Sequence, residues 1–206
     1  MKRQSAAPGV WYFYYPRLVC VVGVNDEARG TTNFAPVTWA TPLSSDPPLF
    51  GICLSLDTYT HHLVQKTGEF SINFLTTEQS GLVDSLGRLS GRDIDKVAKL
   101  SLALDPPEAL ATPMLAVAYV AGECVLNERH HVGDQTLFIG EVQRIHAQGD
   151  AFDSDGVLRV DRLKPLLYLG ARRYTTAIGP ESPPPTAHRQ TDTRAIRRRS
   201  GSRKDS

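Results

Sequence analysis

The sequence predicts a mainly β domain, a barrel or a sandwich, with a few short helices at its periphery. Three observations predict this fold class. Apolar or alternating runs of strand length recur along residues 10–178. Clusters of Gly, Pro, Asn and Asp separate them, and helical spacing of apolar residues is confined to short stretches. Closure of such a sheet would remove the edge strands that promote aggregation.

The first half of the chain contains three predicted strands. Leu18 to Val24 is a dense apolar run that ends at the polar turn 25–30, and Leu49 to Leu56 is a second dense run. Glu69 to Leu75 alternates between apolar and polar residues, so we expect this strand to be buried on one face only.

Three short helices are predicted between and after these strands. Residues 58–67 carry apolar side chains at helical spacing and are followed by Gly68, a common helix terminator. A second helix follows Thr77 and ends at residues 87–91, and Ile94 to Leu100 begins a third.

The second half of the chain contains longer strands. The pattern predicts strands over Met114 to Leu126, Gln135 to His146 and Leu166 to Leu169. The polar segment Asn127 to Asp134 and the turn at residues 153–156 are expected to be loops. At least six strands are therefore expected.

Length and composition indicate one domain with two tails. The chain has 206 residues, of which 41% are hydrophobic and 22% charged, as in ordinary globular proteins. We expect an extension at residues 1–9, a domain at 10–178 and a disordered tail at 179–206, Pro-rich and then basic. Without a long apolar run we expect no membrane span.

Cysteine usage favours the cytoplasm. The three cysteines, Cys20, Cys53 and Cys124, are odd in number, widely spaced and embedded in apolar runs. Neither a disulfide framework nor a metal site of the CxxC type is supported by this pattern. We therefore expect a protein of the reducing cytoplasm.

The net charge of +1 conceals a basic tail. Residues 189–206 carry seven basic and two acidic side chains, a net charge of +5, against −4 for the remainder. A solvated tail is the favoured interpretation, because no aromatic residues accompany the charges. The alternative is a ligand-sensing barrel whose tail docks on nucleic acid.

Common catalytic motifs are absent from the sequence. It has no GxGxxG after a strand, no GxxxxGK[ST], no HExxH and no GxSxG. The adjacent pairs His61-His62 and His130-His131 diverge on a helix or a strand, so no metal site is predicted there.

One polar segment is different. Residues 30–44 surround an Asn with small hydroxylated side chains, a pattern suited to a planar heterocycle. Ser55, Asp57, Thr58 and Thr60 follow the next strand and begin the short helix, where hydroxyls and the helix N-terminus favour an anion. The alternative is that these hydroxyls only end strands and cap the helix.

Several motifs in order resemble the flavin reductase-like family of FMN-binding split barrels over about residues 12–176. They are Gly30, Asn33, Thr38-Trp39, Leu43-Ser44, Asp46-Pro47-Pro48, Ser55, Thr60, Thr67-Gly68-Glu69-Phe70, Ile72-Asn73, the strand beginning Gly133-Asp134-Gln135, and the closing segment from Leu163-x-Pro165 to Arg173-Tyr174.

The resemblance implies a Greek-key split β-barrel of six or seven strands that pairs as a homodimer, with FMN at the subunit interface. Carried over by position, the residues lining the flavin would be Asn33, Thr38, Trp39, Ala40 and Thr41. Ser55, Thr58 and Thr60 would hold the ribityl-phosphate end, with Lys66 as a further candidate. Arg173 and Tyr174 would complete the site from either subunit.

The resemblance also implies an FMN-dependent oxidoreductase that passes hydride from NAD(P)H to bound flavin and then to free flavin or a small acceptor. No catalytic side chain is expected, because the cofactor itself accepts the hydride. The alternative is an FMN-binding electron carrier or flavin-storage protein without NAD(P)H turnover.

One position departs from the family pattern. Gln135 stands where many such reductases carry His. Gln forms hydrogen bonds but does not ionise near neutral pH, so a role that needs proton transfer is placed in doubt. His131, in the neighbouring predicted loop, is the candidate replacement.

Overall fold

The computed structural model describes residues 11–179. The predicted extension and the predicted Pro-rich, basic tail lie outside the described residues, apart from Gly179. Twelve strands are described in chain order: β1 (Arg17–Leu18), β2 (Cys20–Asp26), β3 (Thr31–Val37), β4 (Ala40–Ser45), β5 (Pro48–Ser55), β6 (Glu69–Phe74), β7 (Leu104–Asp105), β8 (Met114–Leu115), β9 (Val120–Val132), β10 (Gln135–Ala147), β11 (Leu167–Gly170) and β12 (Arg173–Thr175).

Four α-helices accompany the strands: α1 (Tyr59–Thr67), α2 (Ser80–Arg88), α3 (Lys96–Leu100) and α4 (Val160–Leu163). The predicted end of α1 is confirmed, because Gly68 adopts a left-handed conformation with φ of 71° and its N–H bonds to the carbonyl of Val64. Short 3-10 helices cover Trp11–Tyr14 and Thr77–Gln79. Within residues 11–179 no helix combines the length and the apolarity needed to cross a membrane.

Seven antiparallel strands form the main sheet in the order β3-β2-β6-β9-β10-β5-β4. The outermost strands β3 and β4 are joined only by Thr38 and Trp39. Six strand spacings of about 4.8 Å amount to roughly 29 Å, whereas the step from Val37 to Ala40 spans at most about 11 Å. The sheet must therefore curl until its two edges meet, and the predicted barrel is confirmed.

Two apolar clusters lie on opposite faces of β2. Cys20, Val22 and Val24 join the first cluster, with residues of β5, β6, β9, β10 and α1. Val19 and Val21 join the second cluster, with residues of β3, α2 and β8. Because β2 is buried on both faces, its sequence is a continuous apolar run.

The prediction that β6 is buried on one face only is wrong. Ser71 and Asn73, the polar members of the alternation, are fully buried. The Ser71 hydroxyl donates to the carbonyl of Pro113 at 3.0 Å, and Asn73 Oδ1 accepts from the N–H of Leu115 at 2.8 Å. The segment around β8 covers this face, and its main chain satisfies the polar side chains.

Two predictions for the second half of the chain are also wrong. The strand predicted over Met114 to Leu126 is divided into β8 and β9. The predicted polar loop at residues 127–134 is instead the end of a hairpin, since β9 continues to Val132 and only Gly133 and Asp134 form the turn. Backbone hydrogen bonds between β9 and β10 hold this end of the hairpin together, although its exposed side chains show no apolar pattern.

A buried carboxylate fastens the loop before β8. The Glu123 side chain accepts hydrogen bonds from the N–H groups of Glu108, Ala109 and Leu110, and His146 Nε2 lies 2.7 Å from Oε1. Burial by itself would raise the pKa of Glu123, but these hydrogen bonds outweigh it and lower the pKa to about 2.

This arrangement predicts acid sensitivity that depends on one residue. Because the folded pKa lies below the unfolded value, the stabilisation is complete above about pH 4.5 and is lost as pH falls towards 2. At pH 7 we expect Glu123→Gln to lower the free energy of unfolding by about 3 kcal/mol, with the difference vanishing near pH 2. Urea denaturation at several pH values measures the free energy of unfolding of both proteins. Glu128→Gln, an exposed control, should change little, and equal pH profiles for Glu123→Gln and wild type would contradict the assignment.

Candidate functional site

Two neighbouring cavities lie along β3 and share Pro36, Gly87 and Arg88. We call them the basic cavity, of about 360 Å³, and the aromatic cavity, of about 260 Å³, and together the groove. The basic cavity is lined by Asn33, Ala35, Pro36, Asp57, Thr58, Tyr59, Thr60, Leu86, Gly87, Arg88, Leu89, Ser90, Gly91, Arg92 and Lys96. The aromatic cavity is lined by Val19, Pro36, Thr38, Val83, Asp84, Gly87, Arg88, Tyr168, Arg172 and Tyr174.

Positive charge dominates the basic cavity. Arg88, Arg92 and Lys96 line it, against the single carboxylate of Asp57. Arg92 Nη2 donates to the main-chain carbonyl of Asp57 at 3.0 Å, and its guanidinium lies 5.9 Å from the ring centroid of Tyr59. The cavity is therefore suited to an anion.

Asn33 places an unpartnered oxygen in the wall of the basic cavity. Its Nδ2 donates to Thr60 Oγ1 at 2.9 Å, and both side chains are 4% exposed. Asn33 Oδ1 is buried without a hydrogen-bond partner among the described residues. Gly91 lies against this oxygen so closely that a Cβ there would overlap with it. Most buried acceptors are hydrogen-bonded, and because no described residue donates to this one, a ligand or water is the remaining source of a donor.

Lys96 joins two walls of the same cavity. Its Nζ donates to the carbonyls of Phe34 in β3, at 2.7 Å, and of Leu86 in α2, at 2.9 Å. Lys96 is 4% exposed, and this burial lowers the pKa of its ammonium to about 8.

The segment between α2 and α3 is fastened to the barrel at further points. The Arg29 guanidinium donates to the carbonyl of Gly91, and the Thr31 hydroxyl donates to the carboxylate of Asp95. Asp95 also accepts from the N–H of Ala98 and so caps α3. The hydrogen bonds from Ala98 and Thr31 lower the pKa of Asp95. The attachments of this segment to the barrel hold the wall of the cavity in place without a ligand.

Tyrosines form one side of the aromatic cavity. The rings of Tyr168 and Tyr174 lie 5.3 Å apart, and Tyr15 packs edge-on against Tyr168 at 5.8 Å. The Tyr15 hydroxyl is 3.0 Å from the hydroxyl of Thr38. This half of the groove offers flat apolar surface with a few hydroxyl groups, as a planar ring requires.

An ion pair borders the aromatic cavity. Arg172 Nε and Nη2 donate to the two carboxylate oxygens of Asp84 at 2.7 and 2.6 Å. Hydrogen bonding from Arg172 lowers the pKa of Asp84. The pair ties the chain after β11 to α2 across the cavity.

Arg17 holds the link that closes the barrel. Its Nε donates to the carbonyl of Thr38 at 2.9 Å and its Nη2 to that of Ala40 at 3.1 Å. The carbonyl of Trp39 accepts from the N–H of Cys53 on β5 at 2.8 Å. The main chain beside the groove is therefore held from both sides.

The structure brings together only part of the candidate set from the sequence. Asn33, Thr58 and Thr60 line the basic cavity, and Thr38 and Tyr174 line the aromatic cavity. The remaining candidates line neither cavity of the same chain; they are Trp39, Ala40, Thr41, Ser55, Lys66 and Arg173.

Two of the hydroxyls also serve the structural role considered as the alternative. Thr58 Oγ1 accepts from the N–H of His61 at the start of α1 and donates to the carbonyl of Ser55. The Ser55 hydroxyl donates to the carboxylate of Asp57 at 2.6 Å. Thr58 therefore caps the helix while it lines the cavity.

Sequence reasoning missed the cations and one aromatic residue of the groove. Arg88, Arg92 and Lys96 recur at intervals of four residues, but they lie at the end of α2, in the following turn and at the start of α3, so no single helix face predicts their meeting. Tyr168 and Arg172 carry no signal either, because strand pairing and the turn after β11 bring them to α2.

Comparison with known proteins decides the family. A family model described as "Flavin reductase like domain" matches residues 12–177. The chain belongs to this family. The flavin reductase-like assignment explains why the motifs singled out above occur in that order along one barrel.

Three proteins illustrate the likeness. An uncharacterised protein of Archaeoglobus fulgidus is 35% identical over 120 residues, which cover 58% of this chain and 67% of that protein. The FMN-binding protein from Thermus thermophilus with bound 1-cyclohex-2-enone is 36% identical, with a TM-score of 0.77, covering 89% of this chain and 98% of its own. A split-barrel protein from Shewanella frigidimarina is 18% identical, with a TM-score of 0.77. The match covers 85% of this chain and 89% of that chain, and at this identity it shows the fold alone. The predicted split barrel is confirmed.

Removal of Arg17 should loosen the barrel link. Arg17→Met deletes two hydrogen bonds from a charged donor, so we expect a loss of about 2 kcal/mol in the free energy of unfolding. We also expect faster hydrogen exchange at the N–H of Cys53. Arg144→Met removes an exposed pair with Glu108 at 3.5 Å and should cost less than about 1 kcal/mol. Equal effects of the two substitutions would show that Arg17 does not hold the link.

Proposed function

We propose that the groove binds FMN and that the protein is an FMN-dependent oxidoreductase, which passes hydride from NAD(P)H to the flavin and on to free flavin or a small acceptor. The observation that carries the proposal is the division of the groove into a cationic half with an unpartnered buried oxygen and an aromatic half. FMN has the same division, with a phosphate, a hydroxylated chain and a planar ring.

The basic cavity supplies what a phosphate monoester needs. Arg88 and Arg92 offer guanidinium groups, whose planar donors match phosphate oxygens. The cavity also reaches the first turn of α1 at Tyr59 and Thr60, where free N–H groups and the helix dipole favour negative charge. We assign the phosphate to this end of the groove.

Asn33 fits the hydroxylated chain. An unsatisfied buried acceptor costs about 1–3 kcal/mol, and a ligand hydroxyl that donates to Asn33 Oδ1 removes that cost. In the structure Asn33 Nδ2 donates to Thr60 Oγ1, which leaves Oδ1 as the amide atom without a partner.

The aromatic cavity fits the ring. Tyr168 and Tyr174 provide flat surface, and Thr38 places a hydroxyl at its edge. We propose that the main chain of residues 39–41, positioned by Arg17, lies beside the ring. When bound, FMN supplies the redox chemistry, because its ring system accepts hydride. The protein orients the ring and excludes water from one face of it.

A compound bound to the Thermus protein supplies a candidate acceptor. That FMN-binding protein, 36% identical to this chain, has 1-cyclohex-2-enone bound. We therefore include cyclic enones among the acceptors of the proposed oxidoreductase.

The residue type at position 135 supports the second candidate, an FMN-binding electron carrier or flavin-storage protein without NAD(P)H turnover. Gln135 pairs with Ser55 on β5 and lines neither cavity. Its amide does not ionise. His131, the suggested replacement, lies exposed opposite Thr136 on the hairpin. Neither residue lines the groove of its own chain.

A homodimer is part of the proposal. Lys66 and Arg173 line neither cavity of their own chain, and we propose that a second copy brings such residues to the groove. Sedimentation velocity of the FMN-loaded protein should give a species of twice the chain mass. A cytoplasmic location stays a prediction from cysteine usage.

A single methyl group tests the cofactor site. In Gly91→Ala the new Cβ would press on Asn33 and on the Tyr59 ring, so we expect FMN affinity to fall at least tenfold, or about 1.4 kcal/mol. Quenching of flavin fluorescence measures the Kd. Gly81→Ala, with nothing within 4 Å of the new Cβ, is the control and should bind as wild type. Unchanged affinity in Gly91→Ala would place FMN elsewhere.

Turnover separates the enzyme from the carrier. We expect the FMN-loaded protein to oxidise NADH or NADPH steadily when free FMN or cyclohex-2-enone is added as acceptor. Loss of absorbance at 340 nm measures this rate. A flavin that can be photoreduced but does not react with either nucleotide would overturn the enzyme and support the carrier.

A further inference from the structure

Lys96 carries a buried positive charge that no acidic side chain neutralises within residues 11–179. Its ammonium donates to two main-chain carbonyls, those of Phe34 and Leu86. An ammonium has three N–H donors, so one remains for a further acceptor. Because Lys96 also lines the basic cavity, an acceptor in that cavity can meet the third donor.

Two carboxylates lie near Lys96, one in the cavity and one in the chain, and among the described residues neither forms an ion pair with its ammonium. Asp57, which lines the same cavity from the segment before α1, accepts from the Ser55 hydroxyl. Asp95, the neighbour of Lys96 in the chain, accepts from Thr31 and from the N–H of Ala98.

The remaining ionisable groups that line the cavity add no negative charge near neutral pH. Arg88 of α2 and Arg92 of the following segment are cationic, and hydrogen bonding to Asp26 raises the pKa of Tyr59 of α1. The basic cavity therefore carries three cationic side chains against the single carboxylate of Asp57.

We infer that Lys96 is a positioning and charge-compensating residue, which joins β3 to the end of α2 and makes the basic cavity select a phosphorylated ligand over its unphosphorylated analogue. This inference rests on the proposed function. Uncompensated burial of a cation is unfavourable, and a bound dianionic phosphate ester compensates it. The energy gained depends on the phosphate and not on the rest of the ligand.

The two roles of Lys96 have separable consequences. Loss of the bridge between Phe34 and Leu86 would change the width of the cavity and affect every ligand that enters it. Loss of the charge would affect only a ligand with a phosphate. The ratio of FMN affinity to riboflavin affinity therefore reports the charge, since the two ligands share the ring and the hydroxylated chain.

Lys96→Met tests the inference with FMN and riboflavin as probes. The substitution keeps an unbranched apolar side chain of similar length and removes the ammonium. We expect the ratio of FMN to riboflavin affinity, from fluorescence quenching, to fall at least tenfold. Lys99→Met removes an exposed lysine from the same helix and should leave the ratio unchanged. An unchanged ratio in Lys96→Met, or equal weakening of both ligands, would overturn the inference.

The wild-type protein gives a second test that no folding defect can affect. The ammonium loses its proton as pH rises through about 8 in the free protein, whereas the phosphate is already dianionic above about pH 7. FMN affinity should therefore fall severalfold between pH 7 and 9.5 while riboflavin affinity falls less. A constant ratio over this range would overturn the inference. Wild-type protein that binds neither flavin would instead overturn the proposed function.

Discussion

The two-residue link between β3 and β4 is the constraint on which the rest of the structure depends. These strands are the outer members of a seven-stranded sheet, and Thr38 and Trp39 cannot connect them unless the sheet curls into a barrel. At this edge β3 packs against α2 and α3. The groove lies at this contact, so the element that closes the barrel also forms the floor of the site.

Cations fasten the groove mainly through main-chain carbonyls, and this choice has an electrostatic consequence. Arg17 binds the carbonyls of Thr38 and Ala40, Lys96 binds those of Phe34 and Leu86, and Arg92 binds that of Asp57. A carbonyl satisfies the donors without cancelling the charge. Lys96 and Arg92 therefore hold the walls of the basic cavity in place and leave it positive. The exception, Arg172, is paired with Asp84 at the aromatic end, where we propose an uncharged ring to bind.

Much of the fold could be predicted from local patterns, and the failures share one cause. The strand β2 can be read from the sequence because burial on both faces selects apolar residues. The end of α1 can be read because its left-handed backbone conformation selects glycine, here Gly68. The burial of Ser71 and Asn73 was not visible, since main-chain groups from a distant segment satisfy them. The last part of β9, residues 127–132, was missed because pairing of the backbone alone sustains it.

By itself the sequence determined the β-rich class, the motifs shared with the flavin reductase-like family and the polar positions at Asn33, Thr38 and Thr60, because residue type and spacing along one or two elements carry that information. Only the tertiary structure decided which polar groups meet. Arg88, Arg92 and Lys96 come to Asn33, and Tyr168 comes to Thr38, because closure of the barrel and strand pairing join segments far apart in the chain. Which ligand a charge or an unpartnered oxygen can bind depends on the groups that lie beside it in the folded chain.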